Sequence, residues 1–204
     1  ALELMLERVK MSRRLDRVVV ATTVAVEDTP LEMLCEKLCV PCFRGHKDDV
    51  LDRYVQAAQA LGPAEVIVRL TGDCPLHDPE IIDRTVDHFF SSDFDYVSNV
   101  IPPSFPDGLD TEVFSFSALQ KAWQEARLTS EREHVTPYIH KHPKLFRMGS
   151  VTSDRDLSGL RWTLDEPRDL IFIQAVYAHL YGRPFVMKDI LQLLETHPEL
   201  GALN

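Results

Sequence analysis

The sequence predicts an α/β protein in which a mixed, mostly parallel sheet carries helices on both faces. Three observations lead there. From Leu15 to Val100, short β-branched runs alternate with stretches whose apolar residues recur at helical spacing. The runs are apolar on both faces, as strands covered from two sides require. After Val100 the order becomes irregular without a low-complexity linker or an internal repeat, so residues 1–204 read as one domain whose second half extends the same sheet.

The elements follow in order. Leu2, Leu4, Met5, Leu6 and Val9 predict a helix beginning at the first residue. DRVVVATT (16–23) is a strand by its valine run. PLEMLCEKLCV spaces Leu31, Leu34, Cys35 and Leu38 for a helix, with Thr29 as cap before Pro30. VPCF (40–43) is a short strand, and residues 48–62 form a helix with acids in the first turn and Gly62 after its end. AEVIVRL (64–70) is a continuous apolar strand that stops at Thr71-Gly72. Asp78 and Pro79 then open a helix to residue 90, and DYVSNV (95–100) is another strand. Three prolines mark 101–108 as loop, and LDTEVFSF (109–116) alternates like a strand. Residues 117–126 and 130–142 are helical, the second bent or restarted at Pro137. LFRMGSV (145–151) and LRWTL (160–164) are strands, and 166–182 and 187–200 are terminal helices.

Composition narrows the function. The chain carries 22 Lys+Arg against 32 Asp+Glu, a net charge of −10, and is 45% hydrophobic. That balance excludes nonspecific nucleic-acid or membrane-surface binding, which needs a basic face, so an anionic ligand must be met by local cations or a metal. No apolar run is long enough to span a bilayer, and ALELMLERVK has neither the apolar core nor the cleavage site of a secretory signal. Four irregularly spaced cysteines read as reduced thiols, which points to the cytoplasm. Cys35, Cys39 and Cys42 lack a fourth zinc ligand; Cys35 and Cys39 fall on the inner side of a helix, and Cys74 has no partner histidine at a recognisable spacing and reads as packing.

The chemistry is expected beyond the carboxyl ends of the strands. Asp73 in RLTGDCPLHDP (69–79) sits where strand 64–70 runs out, and Gly72 allows a sharp turn or a close approach to a ligand. Asp165 in RWTLDEPRDL (161–170) closes a second strand. Two such carboxylates suit Mg²⁺, which takes one or two protein carboxylates and completes its shell with water and phosphate oxygens. Each aspartate equally fits a helix-capping or turn role. In FRGHKDDVLDR (43–53), Arg44 and the helix start beside Asp48 suit a base or ribose better than a phosphate, because the acids repel it; a plain capped helix fits as well. Asp107 and Asp110 lie in FPDGLDTEVF (105–114). Arg132 and His134 in SEREHVTPYI are the candidates for gripping an anionic sugar, or else are ordinary surface residues.

The motifs VVVATT, FRG-x₃-DVLDRY, VIVRLTGDCPL-x-DP, DYVSN, PDGLDTEVF, SEREHVTPYI and LRWTLDEPRDL, in this order, resemble the cytidylyltransferase family typified by spore coat polysaccharide biosynthesis protein F. That family is related to the enzymes making CMP-activated Kdo and sialic acids, and the likeness runs from Leu2 to about Leu200. It implies a Rossmann-like nucleotidyltransferase fold and a Mg²⁺-dependent reaction of CTP with a sugar that releases pyrophosphate, with a homodimer possible and LDTEVFSF as a candidate pairing edge. It implies Asp73 and Asp165 as the metal-holding carboxylates and Thr71 and Gly72 along the nucleotide. Arg44 and Asp48 would lie near the base, and Asp107, Asp110, Arg132 and His134 would face the sugar. Members open on a strand and a basic loop of the form R-x-G-S-x-R-L-P-G-K. This sequence opens on a helix, so about 15–30 residues are expected to be missing from a truncated or incomplete form of an ordinary enzyme. Two other classes fit the same strand-end acids: a nucleotide-sugar glycosyltransferase, though TGDCP supplies one acid where an Asp-x-Asp pair is usual, and a non-catalytic relative lacking the phosphate loop.

Overall fold

A computed structural model describes residues 1–62 and 64–203. Its elements run α1 (Leu2–Val9), β1 (Val20–Thr23), α2 (Thr29–Lys37), β2 (Cys42–Gly45), α3 (Val50–Ala60), β3 (Val66–Arg69), α4 (Pro79–Phe90), β4 (Tyr96–Ser98) and β5 (Glu112–Ser115). Then follow α5 (Phe116–Glu125), α6 (Thr129–His134), α7 (Pro137–His140), β6 (Met148–Ser150), α8 (Pro167–Leu180), α9 (Met187–Thr196) and α10 (Pro198–Gly201). The described strands form a parallel β1–β2 pair and a mixed four-stranded sheet in the order β3-β5-β4-β6. In that sheet β5 runs antiparallel to β3 and β4, while β6 runs parallel to β4.

Side-chain alternation explains why the four-stranded sheet is covered twice. Val66 and Val68 of β3, Val113 of β5 and Val97 of β4 face a core built with α4, α8 and α9. Ile67, Phe114 and Tyr96, one residue out of phase, face a second core with α3, α5 and α7. A third cluster, Leu6, Cys35 and Val40, covers β1 and β2. Helix α1 links the layers, sending Met5 and Val9 into the first core and Leu6 into the third.

Several sequence expectations are corrected. The strand expected over 40–43 forms two residues later, which puts Arg44 on β2 rather than in a loop. Residues 160–164 form no strand among the described residues; Arg161 makes an isolated bridge to Asp107 instead. The helix expected over 130–142 breaks at buried Val135, whose φ is 72°; Pro137, which cannot continue the preceding helix, starts α7. LDTEVFSF cannot serve as an exposed pairing edge, because β5 is hydrogen-bonded on both sides. Cys39 lies past the end of α2, exposed and with a φ of 50°, and not on an inner helical face.

Candidate active site

The loop after β3 presents the expected rim. Thr71 and Cys74 face each other, with Oγ1 3.1 Å from Sγ, and the Cys74 N–H donates to the Thr71 carbonyl, tightening the turn over exposed Gly72 and Asp73. A Cβ on Gly72 would meet nothing within 4 Å, so the space above it is open, and its φ needs no glycine. Burial pushes the Cys74 thiol up, which makes it a poor nucleophile and bears on packing, not catalysis.

Segment 160–165 is stitched into the same rim by backbone. The Leu164 N–H donates to the Asp73 carbonyl at 2.8 Å, and the Asp107 N–H donates to Leu160 while its carbonyl accepts from Trp162 at 2.6 Å. Gly108, with φ +105°, makes this approach feasible: a Cβ there would lie 2.7 Å from the Trp162 carbonyl carbon. The loops bearing Asp73, Asp107 and Asp165 therefore lie side by side although the sequence scatters them. Among the described residues no three His, Cys, Asp or Glu side chains converge to cage an ion by themselves.

Asp110 is fixed from behind. The buried Asn99 amide donates to the Leu109 carbonyl at 2.8 Å and accepts the Thr111 N–H at 2.7 Å, clamping the backbone on both sides of Asp110. Below it, Glu112 is buried against the Arg69 guanidinium and accepts the Tyr96 hydroxyl at 2.6 Å. Burial, then the charges of Asp107 and Glu112, with Arg69 opposing and Asp73 adding, push the Asp110 carboxyl up to about 6. A carboxyl that ionises later in the folded chain than in the unfolded one contributes stability below about pH 4 and loses it as pH rises through about 6. Asp110→Asn is therefore expected to raise stability by about 1–2 kcal/mol more at pH 8 than at pH 4.5. Chemical denaturation at both pH values checks this, and an equal gain at both would remove the electrostatic cause.

Asp165 is exposed but oriented. Its Oδ2 accepts from Thr163 Oγ1 at 2.9 Å and from Arg161 Nη2 at 2.8 Å, and these bonds hold its carboxyl below the usual carboxylate range. Asp169 does the capping work considered for Asp165 and Glu166: its Oδ2 accepts both their N–H groups, at 2.9 and 2.7 Å.

The remaining expected residues do not converge on the rim in the same way. Arg44 is committed to structure, donating to the carbonyls of Thr23 and Ala25 and to Glu32. Asp48 is exposed, and its neighbour Asp49 caps α3. Arg132 places Nε and Nη2 on Asp49 Oδ2, at 2.9 and 2.5 Å, and Nη1 on the Trp123 carbonyl. It thus ties α6 to the start of α3 and is not a free anion grip. His134 is exposed at the end of α6. Sequence reasoning missed Arg161, Asp169 and Asn99. The Glu166-Pro-Arg-Asp169 spacing of a capping box was a usable signal for Asp169; nothing local marks Asn99.

A family model described as cytidylyltransferase matches residues 2–188. The chain is 40% identical over 207 residues to an uncharacterized protein of Methanocaldococcus jannaschii, covering 100% of this chain and 83% of that protein. It is 33% identical over 208 residues to spore coat polysaccharide biosynthesis protein SpsF of Bacillus subtilis, covering 97% and 84%. A solved cytidylyltransferase structure from Leptospira borgpetersenii superposes with a TM-score of 0.93 at 34% identity, covering 98% of this chain and 84% of that one.

Proposed function

Because the chain belongs to the cytidylyltransferase family, we propose that it joins the cytidylyl group of CTP to a sugar, releasing pyrophosphate, as a step toward surface polysaccharide. The observation that supports this reading is the hydrogen bond from the Leu164 N–H to the Asp73 carbonyl, which joins the segment that leads into Asp165 to the turn that carries Asp73, beside the open face of Gly72. The donor set fits Mg²⁺: both are hard carboxylates, and no thiolate or imidazole competes in the pair. Asp73 and Asp165 would hold the ion, which when bound neutralises charge on the phosphate oxygens.

The rest falls to the protein's own groups. The Thr71-Gly72 turn lies along the nucleotide, and the space above Gly72 admits it without a side chain in the way. Asp107 and Asp110 border the sugar, where Asn99 keeps the Asp110 backbone rigid. The sugar hydroxyl oxygen bonds to the α-phosphorus and gives its proton up to water as the bond to the β-phosphate oxygen breaks and pyrophosphate departs with that electron pair. The CTP supply and the four free thiols suit the cytoplasm.

The test is incubation with CTP, Mg²⁺ and a panel of acidic and amino sugars. Pyrophosphate formed in step with a CMP-sugar is the expected result. UDP or UMP release from a nucleotide sugar without pyrophosphate would make the chain a glycosyltransferase, and nucleotide binding without turnover would make it a non-catalytic relative.

A further inference from the structure

We propose that His77 is a positioning residue for the nucleotide: its imidazole, buried beneath the Thr71–Asp73 turn, donates a hydrogen bond to the Thr71 carbonyl when that turn closes on CTP. The inference rests on the reading of this turn as the nucleotide's rim.

His77 is out of keeping with its surroundings. It is 0% exposed, and among the described residues neither Nδ1 nor Nε2 has a hydrogen-bond partner. Unpaired polar atoms in an interior cost stability, and an apolar side chain of similar size would avoid that cost. Burial pushes the imidazole down to about 4 against the pull of the Asp73 charge, with Arg8 adding to burial and the Thr71 backbone opposing it. The ring is therefore neutral, with one N–H to give, and it faces the backbone of the turn that bears Asp73.

The segment that carries the ring is fixed from three sides. The Arg8 guanidinium of α1 donates Nε to the His77 carbonyl at 2.8 Å and Nη2 to the Leu76 carbonyl at 3.4 Å. The Tyr177 hydroxyl of α8 donates to the Pro75 carbonyl at 2.8 Å, and Asp78 accepts the Met187 N–H at the start of α9. The turn above is tied to that base by longer bonds: the Cys74 N–H donates to the Thr71 carbonyl and the His77 N–H to the Cys74 carbonyl, at 3.3 Å each. The Thr71 carbonyl oxygen has a second lone pair to accept with. His77 thus stands between a rigid base and a turn with room to settle, and its bond to Thr71 fixes Thr71, Gly72 and Asp73 together. Packing alone does not account for the residue, because the ring's carbons serve packing and its two bare nitrogens work against it.

The experiment measures CTP binding in the presence of Mg²⁺ by calorimetry, together with the melting temperature of each protein. His77→Leu removes both nitrogens and is expected to raise the melting temperature by about 2–4 °C while weakening CTP binding about tenfold. His77→Asn and His77→Gln place an amide near Nδ1 and Nε2 in turn, and one of them is expected to bind CTP within about threefold of the unaltered protein. A His77→Leu protein that melts lower or fails to fold overturns the proposal, because the imidazole then serves the core. Both amide variants binding as weakly as His77→Leu also overturns it, since the ring's shape rather than a hydrogen bond is then at stake. If the unaltered protein does not bind CTP, the nucleotide reading of the turn falls and this proposal with it. If the unaltered protein binds CTP and His77→Leu binds it equally well, only this proposal falls.

Discussion

Replacing Asp73 with asparagine is expected to cut turnover on the order of 10²-fold or more while moving the melting temperature by less than about 2 °C. The two halves have separate causes. Asp73 is exposed, and the bond that holds its loop in place is made by its backbone carbonyl to Leu164, which asparagine retains. Its carboxylate has a weak thiol contact, Cys74 Sγ at 3.5 Å. Removing the negative charge thus costs the fold little. In the proposed chemistry the same carboxylate is one of two protein groups on the cation, and losing it raises the barrier by several kcal/mol. Initial rates of pyrophosphate release and a melting curve on the same preparation check both halves. Full activity would remove Asp73 from the site, and lost activity with a large fall in melting temperature would make it architectural.

The second large effect is on stability. Gly108→Ala is expected to destabilise the protein by roughly 3–5 kcal/mol, which in a chain of this size lowers the melting temperature by about 10 °C. An alanine there must hold φ near +105° and place its Cβ 2.7 Å from the Trp162 carbonyl carbon and 2.9 Å from the Thr163 nitrogen. Those are main-chain atoms, pinned by the two hydrogen bonds between Asp107 and segment 160–162, and cannot swing aside like a flexible side chain. Relief requires the 107 loop to separate from Trp162, which is 1% exposed in the first core. Because Asp165 continues from that segment, the variant is also expected to lose activity ahead of global unfolding. A melting point within about 3 °C of the unaltered protein would show that the loop yields cheaply.

The two-sided sheet was legible because strand burial writes itself into composition: Val66-Ile67-Val68 can only be apolar throughout if both faces are covered. Asp78 was equally plain, a cap before Pro79, and it accepts the N–H groups of Glu80 and Ile81. Segment 160–164 deceived because LRWTL has the side chains of a strand, yet its hydrogen bonds go to two loops rather than a ladder. Arg132 deceived for a related reason. A guanidinium beside acidic residues looks available until the fold delivers Asp49 to it, and no local pattern announces a partner so distant in sequence. Arg161 and Asp169 were overlooked because a buried ion pair is a tertiary fact, and its sequence trace resembles an exposed helix start.

The hydrogen bond from Leu164 to Asp73 has a temporal meaning as well as a spatial one. Its donor emerges from the ribosome long after its acceptor, once the intervening helices and strands have been made. A nascent chain that ends before Leu164 holds the Asp73 turn without the segment that docks on it. On the proposed reading both carboxylates are in place only after the segment ending at Asp165 has closed on the Asp73 turn, so a fragment of synthesis or proteolysis that lacks residues 160–165 is expected to lack the site.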